Sequence, residues 1–334
     1  MRMSLAALGW LLAASAASAQ DLSCSPLYLV VPYPAGGATD VAARLIAERL
    51  EPALKKTVVI ENRAGATGNI GTVVVAQSAP DGCTLLVNAA SIATFTVSFS
   101  RLGYDPFRDL IPVGGIGLTP TMLVTAPANP PNDLKTLIEW GKSKPDGLTL
   151  SSAGYGLIQH LAAEEIGRRS GIKLTHILYR GGAPAMTDLV TGRVDLGSFA
   201  AGTMLPLIKE NKLKAVAVIA PRRSALIPDI PTTDEQGLTG INSNVQFMVL
   251  APAATPKPVI DHLSAELRKV VGDPTLKARF AAIGFEPTPS SSEEMAAIMR
   301  KTAEDWIPVI RQLNIKMDRS DGGQDQRHPR PLSP

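Results

Sequence analysis

The sequence predicts an α/β fold in two lobes, each a mostly parallel sheet flanked by helices. Short apolar runs of strand length alternate with amphipathic stretches of helical period along most of the chain. Several of those runs end in small or glycine-rich loops that open straight into a helix. The alternation occurs twice, with a new set starting near Thr121.

Taken in order, Leu27–Val31 (LYLVV) has the length and composition of a buried strand. A Pro/Gly loop follows from Pro32 to Ala38. Val41, Ala42, Leu45, Ile46 and Leu50 then recur at helical spacing, which places a helix start at Thr39 or Asp40. Asp40 suits a helix cap or an i,i+4 partner for Arg44. Residues 57–61 (TVVIE) read as a strand, 65–71 as a glycine turn, 73–79 as a helix and 83–88 as a third strand. That βαβαβ order opens a parallel sheet with right-handed crossovers. Gly65, Gly68 and Gly71 are spaced G-x-x-G-x-x-G, which is not the dinucleotide fingerprint, and suit a turn with tight helix packing.

The second set gives strands at 121–125, 148–152, 175–179, 194–199 and 213–220, with helices at 134–143, 158–169 and 183–191. A strand at 247–250 and helices at 256–271, 274–283 and 292–312 return to the first lobe. Lobe 1 is therefore expected from 20–118 and 221–318 and lobe 2 from 119–220. The crossings fall near 115–122 and 218–224, and a polar, disordered tail runs over 319–334.

Residues 1–19 have the parts of a secretory signal: Arg2, an apolar stretch from Leu5 to Ala14, and Ala17-Ser18-Ala19 before Gln20. The apolar stretch is shorter than the ~20 residues a spanning helix needs, so export to the periplasm is expected. Asp21 stands where a lipoprotein site has an aliphatic residue, which argues against lipidation at Cys24. The two cysteines, Cys24 and Cys83, each precede a strand. If those strands are parallel neighbours the thiols share a sheet edge and form a disulfide; otherwise both are small buried residues. A net charge of +3, scattered basic residues and 4% aromatic content give no footprint for nucleic acid. His160, His176, His262 and His328 lack metal-ligand spacing, and no cofactor or metal is expected.

In open α/β sheets ligands bind outside the carboxyl ends of the strands, and between lobes where there are two. The loops at those ends contain Tyr33, Pro34, Ala35, Gly36, Gly37, Ala38 and Thr39; Asn88, Ala89 and Ala90; Ser152, Ala153, Gly154, Tyr155, Ile158, Gln159 and His160; and Tyr179, Arg180, Gly181, Gly182 and Ala183. Strand, glycine loop and helix N-terminus together expose several backbone N–H groups to one anion. Arg180 is the cation beside these loops and is read either as a ligand contact or as a charge on the cleft rim. His160 is read as a structural histidine or a ligand contact.

The blocks PYPAGGATDVAARLIAERL (32–50), VIENRAGATGNIGT (59–72), PDGCTLL (80–86), YDPFRDLIPVG (104–114), LSSAGYGLIQHLAAEE (150–165), YRGGAPAMTDLVTGRVD (179–195) and RRSALIPDIPTTDEQGL (222–238) resemble the Bug-type extracytoplasmic solute receptors. These are the substrate-binding subunits of tripartite tricarboxylate transporters. The resemblance implies a two-lobed periplasmic binding protein (type II-like), monomeric, that closes on a small organic carboxylate and hands it to membrane subunits. It also implies a grip by main-chain groups of the four loops.

Two departures stand out. Tyr155, Leu157, Ile158 and Gln159 replace the small polar residues common after Ser-Ala-Gly, and Ser198-Phe199-Ala200 replaces a frequent aspartate. Tyr155 and Phe199 suggest an aromatic or apolar acid, and the missing aspartate argues against an amino acid. Two other readings differ in class: an exported hydrolase using Ser152, His160 and Asp188, and a sensory receptor that docks on a signalling protein.

Overall fold

The computed structural model describes residues 22, 24–152, 154–177, 179 and 182–317; the expected signal segment and the tail from 319 lie outside the described residues. Lobe 1 opens with β1 (Leu27–Val31), α1 (Ala38–Leu54), β2 (Val58–Asn62), α2 (Asn69–Ala76) and β3 (Thr84–Ala89). A 3-10 segment (Ala90–Thr94) and one helical turn, α3 (Phe95–Ser98), lead to β4 (Leu110–Thr119). Lobe 2 holds β5 (Thr121–Thr125), α4 (Leu134–Ser143), β6 (Leu148–Ser152), α5 (Ile158–Ser170), β7 (Leu174–His176), α6 (Gly182–Val190), β8 (Leu196–Ala200), α7 (Ala201–Lys209) and β9 (Lys214–Val218). The chain returns through β10 (Val245–Pro252), α8 (Lys257–Val271), α9 (Pro274–Ala282), β11 (Glu286–Pro287) and α10 (Ser292–Gln312).

The strands form two sheets, ordered β11-β4-β10-β3-β1-β2 and β7-β6-β8-β5-β9. Directions are mostly parallel, as expected; β10 and β11 in one sheet and β5 in the other run against the rest. Strand alternation sorts side chains between two packed faces. In lobe 1 Leu29, Ile46, Leu85 and Phe280 fill one face, and Val30, Leu86, Met248 and Phe95 fill the other. In lobe 2 Leu123 joins Leu150, Leu161 and Leu196, while its neighbours Met122 and Val124 join Leu189 and Phe199. Each such side chain contributes about 1.5–3 kcal/mol on burial.

β4 went unread because its LIPVGGIGLT text carries proline and glycines that depress strand propensity. The glycines admit the facing segment: a Cβ on Gly114, Gly115 or Gly117 would lie 2.7–2.8 Å from the carbonyls of Ser290, Thr288 or Glu286. α7 was also missed, its AGTMLPLIK run being broken by Gly202 and Pro206.

The first crossing is at Pro120, between β4 and β5. The second, expected near 218–224, lies instead between Ser243 and Val245. Residues 219–243 stay on lobe 2: Val218 N–H donates to Pro231 O, Thr233 N–H to Val218 O, and Ser243 N–H to Ile219 O. The lobe boundary at 220/221 is corrected accordingly. Next to the crossings the lobes touch backbone to backbone, since a Cβ on Gly202 would lie 2.1 Å from Ile283 O. α10, expected on lobe 1, packs against both lobes. Met295 and Met299 pack in lobe 1, whereas Trp306 and Ile310 enter the lobe 2 core.

β1 and β3 are parallel neighbours, and Cys24 and Cys83 at their amino ends form a disulfide with Cα atoms 5.7 Å apart. Among the described residues no helix is long and apolar enough to cross a membrane.

Candidate functional site

The carboxyl end of β1 runs into an exposed loop at 34–38, and α1 then starts on Gly37 without a side-chain cap. Asp40, 1% exposed, organises this loop. Its carboxylate accepts from Gly36 N–H at 2.8 Å, Arg44 Nε at 2.9 Å and Asn62 Nδ2 at 2.9 Å. Burial pushes its pKa up, but the bonds from Arg44, Gly36 and Asn62 outweigh this and hold it below the ordinary carboxylate value. Asp40 is thus the expected partner of Arg44, and it also occupies the Gly36 N–H that sequence reasoning left for a ligand.

Asn88 is 0% exposed and turned inward. Its Oδ1 accepts from Tyr33 Oη at 3.3 Å and Ala89 N–H at 2.7 Å, and its Nδ2 donates to Thr72 at 3.2 Å. Asn88 and Tyr33 therefore join the first two loops, and burial pushes the Tyr33 hydroxyl up to about 12. Ala89 and Ala90 are buried behind them.

In lobe 2, Ser152 ends β6 and its Oγ lies 2.8 Å from His176 Nε2. Ser152 Oγ also lies 3.2 Å from Gly154 O. Burial, and then His160, push His176 down to about 3, so the ring is neutral. His160 is 2% exposed, and its Nδ1 accepts from Gly156 N–H at 3.0 Å. Tyr155 lies over His160 with ring centroids 4.7 Å apart, and His160 and His176 are 4.2 Å apart. Sequence reasoning missed His176. The available signal was register: β7 is the parallel neighbour of β6, with Leu150 opposite His176, which brings the strand ends together.

The loop after β6 meets the segment after β3. Leu157 packs against the lobe 1 cluster containing Ile92 and Phe95, and Val97 packs against the lobe 2 core. Ile158 and Gln159 are buried in the first turn of α5. Tyr179 donates to Asp188 at 3.0 Å, and Gly182 and Ala183 open α6. Ala153, Arg180 and Gly181 lie outside the described residues. Phe199 is 2% exposed in the lobe 2 core beside Met122 and Leu189. Strand alternation turns it inward, so it cannot supply the aromatic ligand wall expected of it.

The hydrolase constellation is not assembled. Ser152 pairs with His176, while His160 is held by Gly156 and Asp188 by Tyr179 and Arg193. A histidine held near 3 is a weak base for a serine hydroxyl. Among the described residues no group of three His, Cys, Asp or Glu could hold a metal.

Comparison with known proteins agrees with this architecture. A profile described as "Tripartite tricarboxylate transporter family receptor" matches residues 42–315. Protein BugT of Bordetella pertussis is 32% identical over 307 residues, covering 91% of this chain and 94% of its own. The solved periplasmic binding protein BugD is 34% identical with a TM-score of 0.78, covering 87% of this chain and 98% of that one. The R. palustris protein Rpa4515, solved with adipate, is 30% identical with a TM-score of 0.82, covering 89% and 99%. The chain belongs to the tripartite tricarboxylate transporter receptor family, as a Bug-type periplasmic solute-binding receptor and not an enzyme.

Proposed function

We propose that this receptor captures a small organic carboxylate between its lobes through main-chain N–H groups and delivers it to the membrane subunits of a tripartite transporter. One contrast among the helices carries the reading. α1 and α5 follow the carboxyl ends of β1 and β6, and start on Gly37 and Leu157 with no side-chain cap, whereas α7 after β8 is uncapped but spends its first N–H, that of Ala201, on Pro120 O. α4, α9 and α10 start elsewhere and are capped by Asp133, Asp273 and Ser291. α8, α2 and α3 are uncapped as well, but Pro258 removes one donor of α8, and 3-10 turns ahead of α2 and α3 take the N–H groups of Asn69, onto Ala66 O, and Phe95, onto Ile92 O. The orphan N–H groups at the strand ends of both lobes are therefore left for a ligand.

Loops 33–39, 88–91 and 152–160 contain no Lys or Arg, so within them helix dipoles and amides supply the positive field, and Arg180 is the cation of the fourth loop. A hydrogen bond to a charged group contributes ~1.5–3 kcal/mol. Four of them at the upper end of that range reach the ~8 kcal/mol of micromolar binding after an association cost of ~4 kcal/mol. The adipate in the R. palustris relative supports a carboxylate. No carboxylate occurs in 196–200, so no partner for a ligand ammonium is found there, which favours an acid other than an amino acid. With Phe199 in the core, the case for an aromatic or apolar acid rests on Tyr155.

Calorimetry with adipate, malate, benzoate and aspartate tests the reading. Micromolar binding of a carboxylate other than aspartate is expected. Tightest binding of aspartate would overturn the ligand class, and silence with every acid would overturn the receptor site. Co-purification with transporter membrane subunits separates delivery from sensing.

A further inference from the structure

The carboxyl-terminal segment at 315–317 touches both lobes just behind the loop that follows β6. Ile315 is 3% exposed in the lobe 2 core, and Met317 is 1% exposed in a lobe 1 cluster. Between them Lys316 Nζ donates to Val97 O at 2.9 Å, in lobe 1. Gly156 adopts φ +76° and approaches Met317 so closely that a Cβ there would lie 2.6 Å from Met317 Cγ. Leu157, the next residue, packs into the same lobe 1 cluster as Met317. Gly156 N–H is fixed from the other side by His160 Nδ1 at 3.0 Å.

We infer that residues 315–317 are a brace that positions the second-lobe ligand loop, 154–157, and that Met317 is its positioning residue. The inference rests on the proposed ligand role of that loop. Met317 does not touch the ligand; it fills the space behind Gly156 and Leu157, so the amides at the start of α5 keep one orientation. Losing the brace leaves a loop that must be ordered by the ligand itself, which weakens binding without removing any ligand contact.

Hydrogen exchange on the ligand-free protein tests this directly. Met317→Ala is expected to raise exchange of the amides at 154–161 about tenfold while leaving those of 27–50 unchanged. The same variant is expected to weaken adipate binding about tenfold, with Met317→Leu restoring both. A chain ending at Met317 is expected to match the full chain in both readouts. Unchanged exchange at 154–161 in Met317→Ala overturns the inference. If that variant does not fold, the milder Met317→Val carries the same comparison. Raised exchange in a protein whose unaltered form binds no adipate would support the brace and count against adipate as ligand.

Discussion

Asp40→Asn is the sharpest perturbation of the first loop, because it keeps the side-chain shape and removes the charge. Three donors converge on this carboxylate: Gly36 N–H, Arg44 Nε and Asn62 Nδ2. The amide oxygen can face Gly36 and Arg44, but its NH2 then confronts Asn62 Nδ2. Two bonds lose the carboxylate's charge, each weakening by about 1 kcal/mol, and the third is lost. The ion pair adds under ~1 kcal/mol, because the Arg44 side chain is 52% exposed and screened. The expected cost is about 3–5 kcal/mol, or roughly 5–8 °C in Tm for a chain of this size. The pH dependence has a definite sign. The folded-state pKa of Asp40 is depressed, so its stabilisation is complete above the ordinary carboxylate pKa of ~3.9 and is lost as pH falls through the folded value. The Tm gap between wild type and variant, measured by calorimetry, should be full at pH 7 and shrink below about pH 4. A gap absent at pH 7, or undiminished in acid, would refute the assignment of Asp40 as the organiser of this loop.

Gly37→Val is expected to leave the fold intact, because Gly37 has an ordinary φ of −74° and a Cβ there would stand 3.4 Å from Pro34 O. Adipate affinity should fall at least ~10-fold as the side chain enters the cradle; unaltered affinity would remove the loop from the site. Gly202→Ala places a methyl where Ile283 O stands 2.1 Å away and should force the lobes to shift, costing about 1–3 kcal/mol. Small-angle scattering is expected to show a larger radius of gyration, and an unchanged one would mean the contact yields elsewhere. Cys24→Ser with Cys83→Ser should lower stability by about 2–5 kcal/mol and leave affinity unchanged, since the bond joins the strand ends away from the loops. A large affinity loss at a temperature where the variant is folded would contradict that separation.

Sequence was most legible where local signals agreed. The helices at Leu134–Ser143 and Ser292–Gln312 and the strand at Leu148–Ser152 match their expected bounds, and the first two start on capping boxes. Strand-to-loop-to-helix patterns also located the candidate loops. What stayed hidden depended on distant partners. β4 is a strand because β10 and the 286–290 segment line it, despite its glycines. Residues 219–243 have little periodicity, and only their bonds to β9 and Thr121 show that they remain on lobe 2. Within the site, spacing could point to Asn88 and Gly36 but not reveal that one is spent on Tyr33 and the other on Asp40. Phe199 has the residue type of a ligand wall, but the face of β8 it occupies packs into the lobe 2 core, which only the partner elements decide.

The long last helix, seated in both cores, has a consequence for how this molecule can be taken apart. A gene fragment encoding 119–243 alone would yield a half missing Trp306, Ile310 and Ile315, three apolar side chains its interior is built around. The other half would carry those same groups into water. Neither piece should survive by itself, and heating the whole should melt it as a single cooperative body.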